Sequence, residues 1–163
     1  MKIRERIGTV DFSRNLGEAR SDEISDVDVV RACGMVGMAM PLGMSLWRLK
    51  VSGDTREYPR VIEGLVELVS GRGVAASAAV RLVNEVLAHH LDDMCKPCDG
   101  RGHAVVPGTP MLSDVACVFC DGQGRVQLKS EEPRAHWLLE QIARMEREVA
   151  AAVMRKLASE MEF

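Results

Sequence analysis

The chain has 163 residues and a formal net charge of −3, so its length fits one domain and its charge argues neither for nor against a polyanionic partner. No segment approaches the roughly 18 to 20 uninterrupted apolar residues of a membrane span, and no apolar secretory core follows the first basic residues. We therefore expect a soluble, cytoplasmic protein. Five cysteines, four of them in two close pairs, suit a metal site in a reducing compartment better than a disulfide framework.

The first part of the chain combines an irregular segment with a helix. Residues 1–24 carry mixed charge and no sustained hydrophobic period, which predicts a flexible arm. Ser25 or Asp26 can cap a helix that runs from about residue 27 to 38. Methionines cluster in and after this helix, as in a flexible core patch or an adaptable binding surface: Met35, Met38, Met40 and Met44.

Three further helices are predicted before the paired cysteines. Pro41 suits the first turn of a second helix, and Gly53-Asp54 breaks the chain after it. Apolar residues recur at helical spacing over residues 57–70 and again over residues 75–91. Residues 25–94 are therefore expected to form one helical region.

A glycine-rich segment and a last helix complete the chain. Residues 95–129 show little periodicity, whereas residues 130–163 carry apolar residues at steps of four and three, which predicts a helix over about 131–161. We find no strand–helix alternation and no phosphate-binding loop. The predicted fold is mostly α, a helical domain with an inserted CxxC...CxxC zinc-binding module and a long C-terminal helix.

The inserted module contains a sequence repeat. CKPCDGRG at residues 95–102 and CVFCDGQG at residues 117–124 both read CxxCDGxG, with glycines that allow the positive backbone angles needed to wrap a chain round sulfur. Two residues between cysteines let both sulfurs of one turn reach the same ion, and the second turn completes a tetrahedron. Residues 103–116 can form a hairpin or loop between the turns. The pattern predicts one structural Zn²⁺ with these ligands: Cys95, Cys98, Cys117 and Cys120.

Other roles for these residues are weaker. Four thiolates leave no open position for water, so catalytic zinc is disfavoured, and no strand–helix context supports a redox pair. His103, His89 and His90 could each replace a ligand, although the pair at 89–90 is more typical of a solvent-facing helix end, favoured there by the helix dipole. Cys33 remains outside the paired set. Nothing in the sequence points to an enzyme.

The cysteine repeat and the segment before it resemble two known families. The CxxCxGxG turns resemble the cysteine-rich region of DnaJ-type co-chaperones, but that region carries four copies and follows a J domain whose His-Pro-Asp signature is absent here. DVDVVRACGM at residues 26–35, PLGMSL at residues 41–46 and the extension of the first turn, RGHAV at residues 101–105, together resemble the lambda-type phage antitermination protein Q family. The resemblance covers about residues 26–163.

The second resemblance implies a specific function. Members of that family bind DNA near a phage late promoter, contact bacterial RNA polymerase and its sigma factor, and make elongation terminator-resistant without turning over a substrate. This implies a protein of the bacterial host cytoplasm with no membrane or small-molecule partner. In that family the DNA-reading helices follow the zinc module, whereas only residues 121–163 follow the last cysteine here.

Basic residues around the module are candidate DNA contacts: Arg101, Arg125, Lys129 and Arg134. Acidic neighbours offset them, so scattered solvated charges are an equal alternative. A rival function is a small zinc-stapled interaction or chaperone-like module that binds polypeptide without specific DNA contact, which the methionine cluster would suit. A redox or metal-dependent enzyme is a weaker third possibility.

Overall fold

The computed structural model describes residues 25–106, 108–109 and 111–160, and the arm predicted for residues 1–24 lies outside them. The described chain is mostly helical, which confirms the predicted fold class. Its helices and strands are α1 (Asp26–Ala39), α2 (Pro41–Trp47), α3 (Tyr58–Ser70), α4 (Ala76–Leu91), β1 (His103–Val105), β2 (Leu112–Ala116) and α5 (Pro133–Glu160). None of these helices is long and apolar enough to cross a membrane.

The chain divides into two compact units. Among the described residues, 25–83 and 140–160 belong to the first unit, and those between 84 and 139 belong to the second. The chain therefore passes from one unit to the other within α4 and again within α5. The first unit contains α1, α2 and α3, and the second contains the cysteine repeat with its two strands.

Local signals at the start of the first unit set the helix ends. Ser25 caps α1, because its Oγ accepts a hydrogen bond from the Asp28 amide at 3.2 Å while the Asp28 carboxylate accepts one from the Ser25 amide at 2.9 Å. Met40 separates α1 from α2 with φ −134° and ψ 61°. Pro41 disfavours helical geometry in the residue before it, so the helix breaks there and restarts at the proline.

The segment between α2 and α3 is more regular than the sequence predicts. A π-helical turn, Arg48–Ser52, continues α2 and ends at Gly53 with φ 66°. A 3-10 turn, Thr55–Glu57, then leads into α3. The Glu57 carboxylate is buried and accepts a hydrogen bond from the Ser45 hydroxyl at 2.8 Å, which ties this turn to α2.

The first unit is held by an apolar core between α1, α2 and the second half of α5. Gly43 in α2 permits this packing, since a methyl group there would lie 2.8 Å from Val149 Cγ2. The buried members of this apolar core are Val29, Ala32, Cys33, Val36, Met44, Trp47, Val149, Val153 and Leu157. Cys33, the cysteine outside the two CxxC pairs, is thus a core residue. The α3 face with Val61, Leu65 and Val69 is fully buried as well.

One residue near the end of α4 departs from its predicted environment. His90 is only 7% exposed, so the prediction that this histidine faces solvent is wrong. His89 is half-buried. The reason is helical spacing, because residue 90 continues the same face as the buried residues Val83 and Leu87. The sequence already contained this signal.

Candidate metal centre

Each CxxCDGxG segment folds into a tight turn around its sulfurs. In the first, Cys95 is extended and Lys96–Cys98 form a 3-10 turn, after which Asp99 and Gly100 take φ values of 48° and 72°. In the second, Asp121 and Gly122 take φ values of 53° and 80°. Aspartate and glycine are among the residues that tolerate this left-handed conformation best, which explains the shared Asp-Gly dipeptide.

The last glycine of each repeat points its amide at a sulfur. The Gly102 N–H donates to Cys98 Sγ at 3.4 Å, and the Gly124 N–H donates to Cys120 Sγ at 3.2 Å. Such bonds stabilise negative charge on sulfur and orient a thiolate toward an ion. The two halves of the repeat therefore build the same local geometry.

The two turns are interlocked by their backbones. The Cys95 N–H donates to the Gly124 carbonyl at 2.9 Å, and the Cys117 N–H donates to the Gly102 carbonyl at 2.7 Å. The first cysteine of each pair thus bonds the last glycine of the other repeat. The pairing continues from Gly102 into an antiparallel hairpin of β1 and β2, as expected for residues 103–116. Each turn therefore depends on the other for a partner of its first cysteine amide.

Glycine is required where the two turns meet. Gly102 has φ 75°, and a methyl group on it would overlap the Gly122 carbonyl oxygen. Gly124 has φ 73°, and a methyl group on it would overlap the Gly100 carbonyl oxygen. The final glycine of each repeat is therefore fixed by both backbone angle and close approach.

This arrangement brings the four predicted thiols together. Cys95 Sγ lies 3.9 Å from Cys117 Sγ, and Cys98 Sγ lies 3.7 Å from Cys120 Sγ. All four sulfurs lie within 4.8 Å of one another. A tetrahedron with metal–sulfur bonds of roughly 2.3 Å has edges of about 3.8 Å, so the cluster fits one four-coordinate ion.

The thiols cannot easily ionise together. Burial raises the pKa of Cys95 to about 12, together with hydrogen bonds that this thiol donates to neighbouring sulfurs. Burial also opposes ionisation of Cys98, but the Gly102 amide and the other cysteines outweigh it and lower the pKa of that thiol to about 7. Four thiolates this close together, three of them buried, need a cation to balance their charge.

Histidine is not part of the cluster. Among the residues that the structure describes, the donors close enough together to hold an ion are the four cysteines. His103 begins β1, and its Nδ1 is buried without a hydrogen-bond partner there. The alternative ligand roles of His103, His89 and His90 gain no support from these positions.

The four candidate DNA contacts have different surroundings. Arg125 Nη1 bonds Asp93 Oδ2 at 2.6 Å, and Arg134 Nη1 lies 3.5 Å from Glu132 Oε1. Arg101 and Lys129 are exposed, and neither makes a side-chain ion pair within the described part of the chain. Two of the four cations are thus available for a phosphate, and two are neutralised locally.

The module also exposes apolar side chains that the sequence reasoning did not single out. Val118 and Phe119 lie between the second pair of cysteines and are 87% and 69% exposed. Met111 and Val115 in the hairpin region are 68% and 65% exposed. The signal in the sequence was the contrast between Val118-Phe119 and the polar Lys96-Pro97 at the equivalent positions of the first repeat.

Comparison with models of known protein families finds no match to this chain, and comparison with curated proteins finds none either.

Proposed function

We propose that the four clustered cysteines bind one structural Zn²⁺ and that the protein is a lambda-type phage transcription antiterminator. The observation that carries the proposal is the closed cluster of four sulfurs built by the two CxxCDGxG turns. It supports a metal centre of the kind expected from the resemblance to that family. The protein would act in the cytoplasm of a bacterial host.

Zinc is the ion that best suits this donor set. Four thiolates in a tetrahedron are typical of structural zinc sites, and a filled shell leaves no position for a water nucleophile. Bound there, the ion would cross-link the two turns and supply folding free energy to a region with few buried apolar side chains. The proposed function therefore includes no chemical turnover.

Two basic residues that form no ion pair with the described part of the chain support a contact with DNA. Arg101 follows the first turn, and Lys129 follows the second. Neither bonds an acidic side chain among residues 25–106, 108–109 and 111–160, so no such bond there has to break before a phosphate contact forms. Arg125 would have to leave Asp93, and Arg134 would have to leave Glu132, before either could bind a phosphate. We therefore expect these two arginines to contribute less to DNA affinity.

A transcription assay tests the function. Bacterial RNA polymerase transcribes a template with a phage late-type promoter, a promoter-proximal pause and a downstream terminator. We expect the zinc-loaded protein to increase readthrough, and we expect the double variant Cys98→Ser/Cys120→Ser not to do so. Cys33→Ala is the matched control, since it removes the cysteine outside the cluster. Unchanged readthrough on every promoter-proximal sequence offered would contradict the proposal.

DNA binding provides a second test, on purified components. Counterion release predicts that log affinity falls linearly with log salt concentration. Arg101→Ala and Lys129→Ala should each weaken binding and reduce the magnitude of that slope by about 1. Arg81→Ala removes an exposed arginine of α4 outside the module and should leave the slope unchanged. A slope that none of the three variants changes would place the contact elsewhere.

The exposed apolar side chains of the module favour a second candidate, a zinc-stapled module that binds polypeptide. Val118 and Phe119 would then contact a protein partner, and DNA binding would be absent or insensitive to salt. Phe119→Ser separates the two functions. It should abolish binding to an unfolded polypeptide under the second candidate, and it should leave the salt slope for DNA unchanged under the first.

A further inference from the structure

One of the four clustered cysteines differs from the other three in its exposure. Cys95, Cys98 and Cys120 are buried, whereas Cys117 is half-buried. Cys117 follows the exposed end of β2, and the residue after it, Val118, is 87% exposed. Among the four sulfur donors, Cys117 is therefore the one that a small dissolved molecule reaches first.

Cys117 also lacks a contact that the second cysteine of each pair has. The amide of the last glycine in each repeat donates to Cys98 Sγ at 3.4 Å or to Cys120 Sγ at 3.2 Å. Among the residues that the structure describes, no backbone amide donates to Cys117 Sγ. An amide hydrogen bond stabilises a thiolate, and a more stable thiolate is a weaker nucleophile. The Cys117 sulfur is thus accessible and is not weakened in this way.

A second sulfur lies in position to react with Cys117. Cys95 Sγ is 3.9 Å from Cys117 Sγ, across the junction between the two turns. The other pair across the junction, Cys98 and Cys120, has its sulfurs 3.7 Å apart, but both of these residues are buried and both accept an amide hydrogen bond. The susceptibility of a cysteine to oxidation follows its exposure and its thiolate character. Both criteria favour the pair that contains Cys117.

We propose that Cys117 is a redox modification site, at which a peroxide converts the thiolates of Cys117 and Cys95 into a disulfide. The Cys117 sulfur attacks one peroxide oxygen, the O–O bond breaks, and the hydroxide that leaves takes a proton from solvent. The Cys95 sulfur then attacks the sulfenic acid on Cys117 and displaces its hydroxide, which leaves as a second water after taking another proton. The two thiolates lose two electrons in all, and these reduce one hydrogen peroxide to two waters.

This oxidation removes half of the ligand set. Only Cys98 and Cys120 remain as thiolates, which is too few for a four-coordinate site. Because metal binding and folding of the module are coupled, the disulfide should release the ion and loosen the junction between the turns. Thiols can reduce a disulfide, so the change is reversible. This inference rests on the zinc centre of the proposed function and is independent of transcription antitermination.

Peptide mapping of the zinc-loaded full chain tests the site. Zinc is quantified first, equimolar hydrogen peroxide is added, the remaining thiols are blocked with N-ethylmaleimide, and tandem mass spectrometry locates the disulfide. We expect a bridge between Cys95 and Cys117 as the first product, with zinc released as the bridge forms. Dithiothreitol and added zinc should then restore one zinc per chain. Cys33, buried in the core of the first unit, is the internal control and should keep its thiol.

Histidine variants add a kinetic test, because an imidazole can replace a thiolate as a zinc ligand but cannot form a disulfide. Cys117→His should slow the release of zinc by peroxide at least about tenfold, since it removes the exposed thiolate. Cys120→His is the matched control, and it should release zinc at close to the parent rate because Cys117 is retained. Mapping of the parent chain decides the matter where neither variant holds zinc.

The outcomes separate this inference from the proposed function. A parent chain that holds no zinc before peroxide is added refutes the zinc centre itself. A zinc-loaded chain overturns the redox site alone if another cysteine is oxidised first or if the disulfide joins a different pair. Release of zinc from Cys117→His as fast as from the parent overturns it as well, and so does a failure of dithiothreitol and zinc to restore the centre.

Discussion

Single glycines decide whether the two cysteine turns can meet. Gly102 and Gly124 have positive φ, and each lies against a carbonyl oxygen of the opposite turn. The repeat in the sequence identifies these glycines as a pair, but the reason for them lies in contacts between segments 22 residues apart along the chain. Only the folded arrangement reveals those contacts.

Substitution of Gly102 by alanine should therefore weaken the metal site. The left-handed conformation of an alanine costs roughly 1–2 kcal/mol. Overlap with the Gly122 carbonyl adds about 1–3 kcal/mol of the kind measured for overpacking. Since metal binding and folding of the module are coupled, the loss should be measurable as a lower zinc affinity in competition with a chelator.

Gly108 is the control for backbone strain alone. It has φ 77°, but nothing lies within 4 Å of an added methyl group. We expect Gly108→Ala to keep a zinc affinity at least about tenfold higher than Gly102→Ala, which corresponds to a difference of about 1.4 kcal/mol. Equal affinities of the two variants would show that the contact between the turns has no effect on binding.

At the scale of helices and strands, the sequence predicted most boundaries to within two residues. The Ser25 cap, Pro41 and the glycines are local signals, so α1 and α2 could be placed from the residues alone. The π-helical turn at Arg48–Ser52 could not be placed from the residues alone, because packing and the end of the helix at Gly53 select it together. The burial of His90 was predictable from its spacing to Leu87, but the histidine pair suggested a solvent-facing end instead.

Removal of the metal should affect the elements unequally. The hairpin is short, and the buried cluster beside it consists of Cys95, Cys98 and Cys120, so it has little apolar burial to hold it without an ion. The first unit has its own apolar core of α1, α2 and α5. We expect a strong chelator to collapse the amide chemical-shift dispersion of residues 95–126 while the amides of residues 26–47 shift little.

Zinc added back in excess is the control for that experiment and should restore the dispersed spectrum. Cys33 belongs to the core of the first unit, so Cys33→Ala should show the same chelator response as the parent protein. A chelated protein whose residues 95–126 keep their native shifts would contradict a structural role for the ion.

At the scale of the whole molecule, the two compact units differ in the kind of interior and surface they have. The first unit has an apolar helical core. The second is a cysteine module with an exposed apolar tip and with two exposed basic residues that make no ion pair to any described residue. The sequence predicted which four cysteines come together, because CxxC spacing and the repeat specify that cluster locally. It did not reveal which of the basic residues are neutralised, since Asp93 is 32 residues from Arg125.

The proposed function depends on four thiolates from the two turns binding one zinc ion. Elemental analysis and native mass spectrometry of the purified full chain test it most directly. We expect one zinc per chain in the parent and in Cys33→Ala, and none retained in Cys98→Ser/Cys120→Ser. Parent protein without stoichiometric metal, folded as well as its double serine variant, would contradict it.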